Sequence, residues 1–176
     1  GHGEGFLPSI CEDWEDAAAP AGDSGVRTVF LRSGIVLSGT GGALGKMLLP
    51  FKMGAGGPMA GGKQWMSWIS LDDEIYAIHH LLMNGGSKGV YNLTAPNPSR
   101  QKGFAKTLGR VLGRPAFAPL PGFVVRILFG EMGVKLTLES QRVLPNRLLG
   151  EGFEFLHPEL EGALTDTLGA WRDLKI

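Results

Sequence analysis

A single cysteine, Cys11, in 176 residues excludes an internal disulfide framework and fits a reducing compartment. Neither sign of charge is in excess. Seventeen Lys and Arg cancel seventeen Asp and Glu, so nothing favours nucleic acid or an anionic membrane as a partner. No apolar run approaches the roughly 20 residues that span a bilayer. The opening GHGEGF has neither the basic nor the apolar region of a secretory signal. Internal repeats are lacking as well, and metal-ligand spacing is absent. His79 and His80 are neighbours on a predicted helix, pointing about 100° apart, so they cannot grip an ion as i, i+4 ligands could. His2 and His157 have no partner at useful spacing. The chain also does not open with a strand, glycine-rich loop and helix ending in an acid, the element that binds a dinucleotide. The expectation is a soluble, cytoplasmic protein with no metal, no membrane and no nucleic acid.

What is present is globular. Hydrophobic residues make up 43% and charged residues 19% of the chain, and the length allows a real core, as one domain or one and a half. Glycine is abundant at 28 residues, densest between Gly39 and Gly62, which implies close backbone approach or a mobile loop.

Leu7, Cys11, Trp14 and Ala18 recur at helical spacing, predicting a helix over Phe6–Ala19 ended by Pro20. Cys11 falls on its apolar face and reads as a core residue. Val26–Leu31 is apolar and β-branched, the pattern of a strand covered on both faces of a parallel sheet. Ser33–Gly34 follows, where open α/β sheets bind ligands. Ala43–Phe51 predicts a short helix stopped at Pro50, and Gly54–Gly62 a loop. Asp72 or Asp73 should cap the next helix, with Glu74 at its positive end and Ile75, Ile78 and Leu82 as its buried face. Val90–Thr94 is a strand. Ser99 should cap a helix carrying Phe104, Leu108, Val111 and Leu112, closed at Gly113. Proline-rich connections then begin, so a domain boundary is placed near residue 95, dividing 1–95 from 96–176. A helix after Thr137 is broken by Pro145, and a last one starts at Pro158 with Leu160, Leu164, Leu168 and Trp171 on one face.

Two glycine patterns tempt. Gly57 to Lys63 has the spacing of a phosphate loop, but Gln64 replaces its magnesium-binding hydroxyl and no strong strand precedes it, so a surface loop is expected. Gly39–Gly45 resembles a dinucleotide loop, yet its third glycine falls on Leu44 and no acid lies near position 60. Trp65 and Trp68 either line a pocket or belong to the core.

Taken together, LRSGIVLS, GGALGKMLLPFKMGAGGPMAGGKQWMSWISLDD, LESQRVLPNRLL and GFEFLHPELEGAL resemble the atypical, epimerase-family branch of the extended short-chain dehydrogenase/reductases. The resemblance covers nearly the whole chain, but only the C-terminal half or somewhat more of the family. It implies an α/β fold: the C-terminal part of an NAD(P)-binding Rossmann-like domain, followed by a small helical substrate-side domain. It also implies NADP and a small-molecule substrate as ligands of the complete protein. Ser33, Gly34, Ile35 and Val36 would approach the nicotinamide; Lys46, Gln64, Trp68 and Arg142 would face the substrate. No catalytic residue is assigned. The helix that carries YxxxK in ordinary members has Phe6 or Leu7 and Ile10 or Cys11 at those positions, and neither pair can exchange a proton at a hydroxyl while a cation holds its pKa down. Ser70 stands where relatives usually have His, and Met66 where nucleotide-sugar epimerases tend to have Arg. The alternative is a non-catalytic, cofactor-sensing protein on the same fold. With half of the fold's partners elsewhere, self-association of this chain is also expected.

Overall fold

Residues 29–37 set the architecture. The computed structural model describes residues 6–119 and 140–173. In it β1 (Val29–Ser33) runs into β2 (Ile35–Leu37) with only Gly34 between them. β1 pairs in parallel with β5 (Gly89–Leu93), Val29 opposite Gly89 through Ser33 opposite Leu93. β2 pairs in parallel with β4 (Trp68–Ser70), Ile35 opposite Trp68. Between β4 and β5 the chain crosses through helix α3 (Leu71–Met83), the connection that parallel strands require. A short antiparallel pair joins β3 (Trp65–Met66) to β6 (Ser99–Arg100).

Both faces of β4 are buried. Trp68 enters a cluster with Leu37, Leu44, Phe51, Phe104 and Leu164, drawn from β2, α2 (Gly42–Lys52), α4 (Gln101–Leu112) and α6 (Leu160–Asp173). Ile69, one residue on and therefore on the opposite face, packs with Ala77, Leu81, Tyr91, Leu93, Leu148 and Phe153. Leu148 belongs to α5 (Asn146–Gly150). The larger cluster thus draws on residues from both sides of position 95.

Several expectations from the sequence are corrected here. Helix α1 (Phe6–Asp23) runs through Pro20 and closes later, where Ser24 and Val26 donate to Pro20 and Ala21 carbonyls. With Val26 spent on that turn, the strand starts at Val29. Cys11 is exposed, and Trp14 is 73% exposed, so that face of α1 is not core. Pro50 lies inside α2 rather than ending it. On α3 the buried residues are Asp73, Glu74, Ala77 and Leu81, while Ile75, Ile78 and Leu82 are exposed. Ser70 rather than an aspartate caps that helix, its hydroxyl accepting from the Asp73 amide. Ser99 does not cap α4. The helix does close at Gly113, whose φ of +62° is left-handed backbone that glycine adopts without strain. Residues 140–145 are not helical; the rest of the helix expected after Thr137, and the Trp171 side chain, lie outside the described residues.

The far end of α3 is held by Arg27, whose guanidinium donates to the carbonyls of Leu81, Leu82 and Ser87. The Leu81 and Leu82 carbonyls are orphan acceptors of the helix C-terminus, where a cation also suits the dipole, and Ser87 lies in the turn beyond it. Near it Glu151 accepts from Asn84, Ser87 and Tyr91. Burial would raise this carboxyl, but the hydrogen bonds prevail and hold it below the usual range.

Candidate functional site

Gly34 sits at a fork. Its amide donates to Leu93 O at 2.9 Å, the next amide, Ile35, to Ser67 O at 2.8 Å, and Ala95 N to Trp68 O at 2.6 Å. The β1–β2 strand therefore leaves β5 and joins β4 within one residue. A Cβ on Gly34 would lie 2.7 Å from Ser67 O and 2.9 Å from Thr94 Cγ2, so only a hydrogen fits there. The fork lies at the carboxyl ends of β1 and β5, the place where open α/β sheets take ligands.

Ser33, exposed at the end of β1, donates from Oγ to Glu74 Oε1 at 2.5 Å. Glu74 comes from the first turn of α3, and its other carboxyl oxygen is buried with no hydrogen-bond partner among the described residues. Burial pushes this carboxyl above the usual range, and the bond from Ser33 offsets part of that. Sequence reading placed Glu74 only as a helix-dipole residue. A carboxylate following an Asp pair carries no other signal, because its partner is 41 positions away.

A second constellation surrounds Trp65. Its indole is half-buried and carries two guanidinium groups, Arg100 at 4.1 Å and Arg142 at 5.1 Å from the ring centre, contacts with a cation–π component. The segment bearing Arg142 is stitched to the loop ahead of β4. Trp65 N donates to Ser140 Oγ at 3.1 Å, Ser67 Oγ donates to Gln141 O at 2.8 Å, and Val143 N donates to Ser67 Oγ at 2.9 Å. Arg142 is thus held by an irregular segment rather than a helix, and it shares its aromatic platform with Arg100, which the sequence did not single out.

The other expected residues fall as follows. Ile35 and Val36 are half-buried in β2, and Lys46 is on the exposed side of α2. Gln64 is turned inward, its amide donating to Met59 O at 3.1 Å; it shapes the glycine-rich loop from within. Trp68 is 0% exposed, and its Nε1 donates to Asn97 O at 3.1 Å. Of the two tryptophans one is core and the other a half-open surface.

Comparison with known proteins sharpens this frame. Residues 120–167 match the domain of unknown function DUF1731. The chain is 44% identical over 161 residues to the human epimerase family protein SDR39U1, covering 92% of this chain and 55% of that protein. It is also 44% identical to the chloroplastic SDR39U1 homolog of Arabidopsis thaliana, covering 92% of this chain and 46% of that one. The crystal structure of human SDR39U1 with NADPH superposes with a TM-score of 0.88 at 41% identity, over 96% of this chain and 57% of that one. Over most of its length the chain is similar to the epimerase-family, atypical short-chain dehydrogenase/reductases.

It spans about half the length of the curated relatives it matches. The parallel pairs β1–β5 and β2–β4 are part of that family's Rossmann-like fold. No helix among the described residues is long and apolar enough to cross a membrane.

Proposed function

We propose that the chain forms the substrate-side half of an NADP-linked, epimerase-like oxidoreductase acting on a small molecule. In this reading Ser33–Val36 meets the nicotinamide end of the cofactor, and the Trp65–Arg100–Arg142 platform meets an anionic group of the substrate. The observation that carries it is the fork at Gly34. It brings Ser33–Val36 to the carboxyl edge of a parallel pair, where open α/β sheets take ligands, while Ser67 and Thr94 fill the space beside Gly34 itself. The likeness to a human protein crystallised with NADPH supports the choice of cofactor.

The cofactor's pyrophosphate needs a fingerprint glycine loop at a helix N-terminus, and the glycine loop between β2 and α2 departs from it, with Leu44 at the third glycine position. NADPH should therefore bind the isolated chain weakly, with an affinity poorer than the low-micromolar range. Millimolar NADPH should still shift the amide resonances of Ser33–Val36 in a two-dimensional NMR titration. Shifts confined to other regions would sink the assignment, and low-micromolar affinity would show that the pyrophosphate site lies within the chain.

On the substrate side, Arg142→Lys keeps the charge and loses the planar fork that grips a carboxylate or phosphate through two parallel hydrogen bonds. The side chain is exposed, so the melting temperature should move little, since exposed charge contacts contribute about 0–1 kcal/mol. Binding of a small dianion such as inorganic phosphate or succinate should weaken several-fold. Unchanged anion binding together with a large fall in melting temperature would make Arg142 a structural clip.

A further inference from the structure

We propose that Asp72, His157 and Asp166 form a site for one divalent first-row transition-metal ion, for which zinc is the reference. The three residues come from separate elements: the first turn of α3, the loop after Phe155, and the second turn of α6. One ligand atom from each lies within 4.8 Å of the other two. His157 Nε2 stands 3.6 Å from Asp166 Oδ2, with the histidine side chain 20% exposed and the aspartate 56%.

The histidine is placed by buried structure. Asp73 is 0% exposed, and its carboxylate accepts from Leu156 N at 2.7 Å and His157 N at 3.1 Å. That carboxylate is also tied to Ser70, the cap of α3. Asp72, the neighbouring residue, thereby faces a loop whose position is fixed by Asp73.

Ligands of a common ion at about 2.0–2.2 Å stand about 3–3.6 Å from one another. Closing the present spacing needs shifts of about 1 Å, which the exposed aspartates can make by rotation. Two carboxylates offset a double positive charge. The imidazole selects zinc, cobalt, nickel or manganese over magnesium and calcium, which prefer all-oxygen sites. Three protein ligands leave a position for water or another small ligand. Positions 72, 157 and 166 carry no sequence signature, because the site is assembled only when α6 docks beside the start of α3. Binding there ties the C-terminal helix to α3, so the ion should stabilise the fold.

Calorimetric titration of the tag-free chain with zinc chloride tests the proposal. Wild type should bind one equivalent and gain melting temperature. Asp166→Asn, at an exposed position that the fold does not need, should lose at least tenfold in affinity, and His157→Gln should do the same. His79→Gln, an exposed histidine elsewhere on α3, should match wild type. No stoichiometric binding, or full affinity retained in Asp166→Asn and His157→Gln, overturns the site.

Discussion

Trp68→Ala should cost the protein about 3–5 kcal/mol, the range for truncating a fully buried aromatic. The side chain is 0% exposed and packs among Leu37, Phe104 and Leu164 from three different elements. Its removal leaves a cavity that no single neighbour can fill. Against a total stability of about 5–15 kcal/mol for an ordinary domain, the loss is a large fraction of the whole. Urea denaturation followed by circular dichroism would measure it. Trp68→Phe separates the two parts of the effect: most of the ring volume stays, but the exposed Asn97 loses the donor to its carbonyl, a cost of about 0.5–1.5 kcal/mol. A loss under about 1 kcal/mol for the alanine variant, with altered ligand binding, would return Trp68 to a pocket wall.

Gly34→Ala should be the most damaging one-carbon change at the site. The added Cβ meets the Ser67 carbonyl oxygen at 2.7 Å and Thr94 Cγ2 at 2.9 Å. One obstacle is backbone, which cannot rotate away, so the strand must move off β4. Overpacking of this kind costs about 1–3 kcal/mol. The displaced segment is Ser33–Val36, so the NADPH-induced amide shifts should disappear as well. The double variant Gly34→Ala/Thr94→Ala removes the side-chain obstacle and leaves the carbonyl, so it should recover little. Wild-type stability in the single variant would mean the fork is loose enough to yield, and the close-approach argument would fail.

The fold class, the family and the α4 and α6 faces were legible in the sequence because they depend on local periodicity and on long, specific segments. Phe104 and Leu108, and Leu160, Leu164 and Leu168, are buried as their spacing implies. The exposed face of α3 was misread for a physical reason. Ile75, Ile78 and Leu82 make a proper apolar stripe, but periodicity does not say which stripe a neighbour covers, and here the sheet covers Ala77 and Leu81. Asp73 looked like a cap and proved to be the acceptor for two loop amides more than 80 positions away. Pro20 and Pro50 read as stops. Each lies near a helix end, where one lost hydrogen bond is tolerated more readily than in a helix centre. At the candidate site, motif and resemblance suggest Ser33, Gly34 and Arg142 as expectations. Glu74, Arg100 and the aromatic platform were not among them, since each matters through a partner that only the tertiary fold supplies.

The fork also bears on the order in which the molecule assembles. Its three hydrogen bonds link residue 34 to 93, 35 to 67, and 95 to 68, so the chain must close loops of several tens of residues before any of them can form. Closing such loops costs entropy before any contact compensates for it. The bond from Ala95 to Trp68 closes the crossover from β4 through α3 to β5, the shortest of the three loops. The corner around Gly34 is therefore among the later parts of the structure to become fixed. Amide exchange at Gly34, Ile35 and Ala95 reports on the closure of the β1–β5 and β2–β4 pairs together.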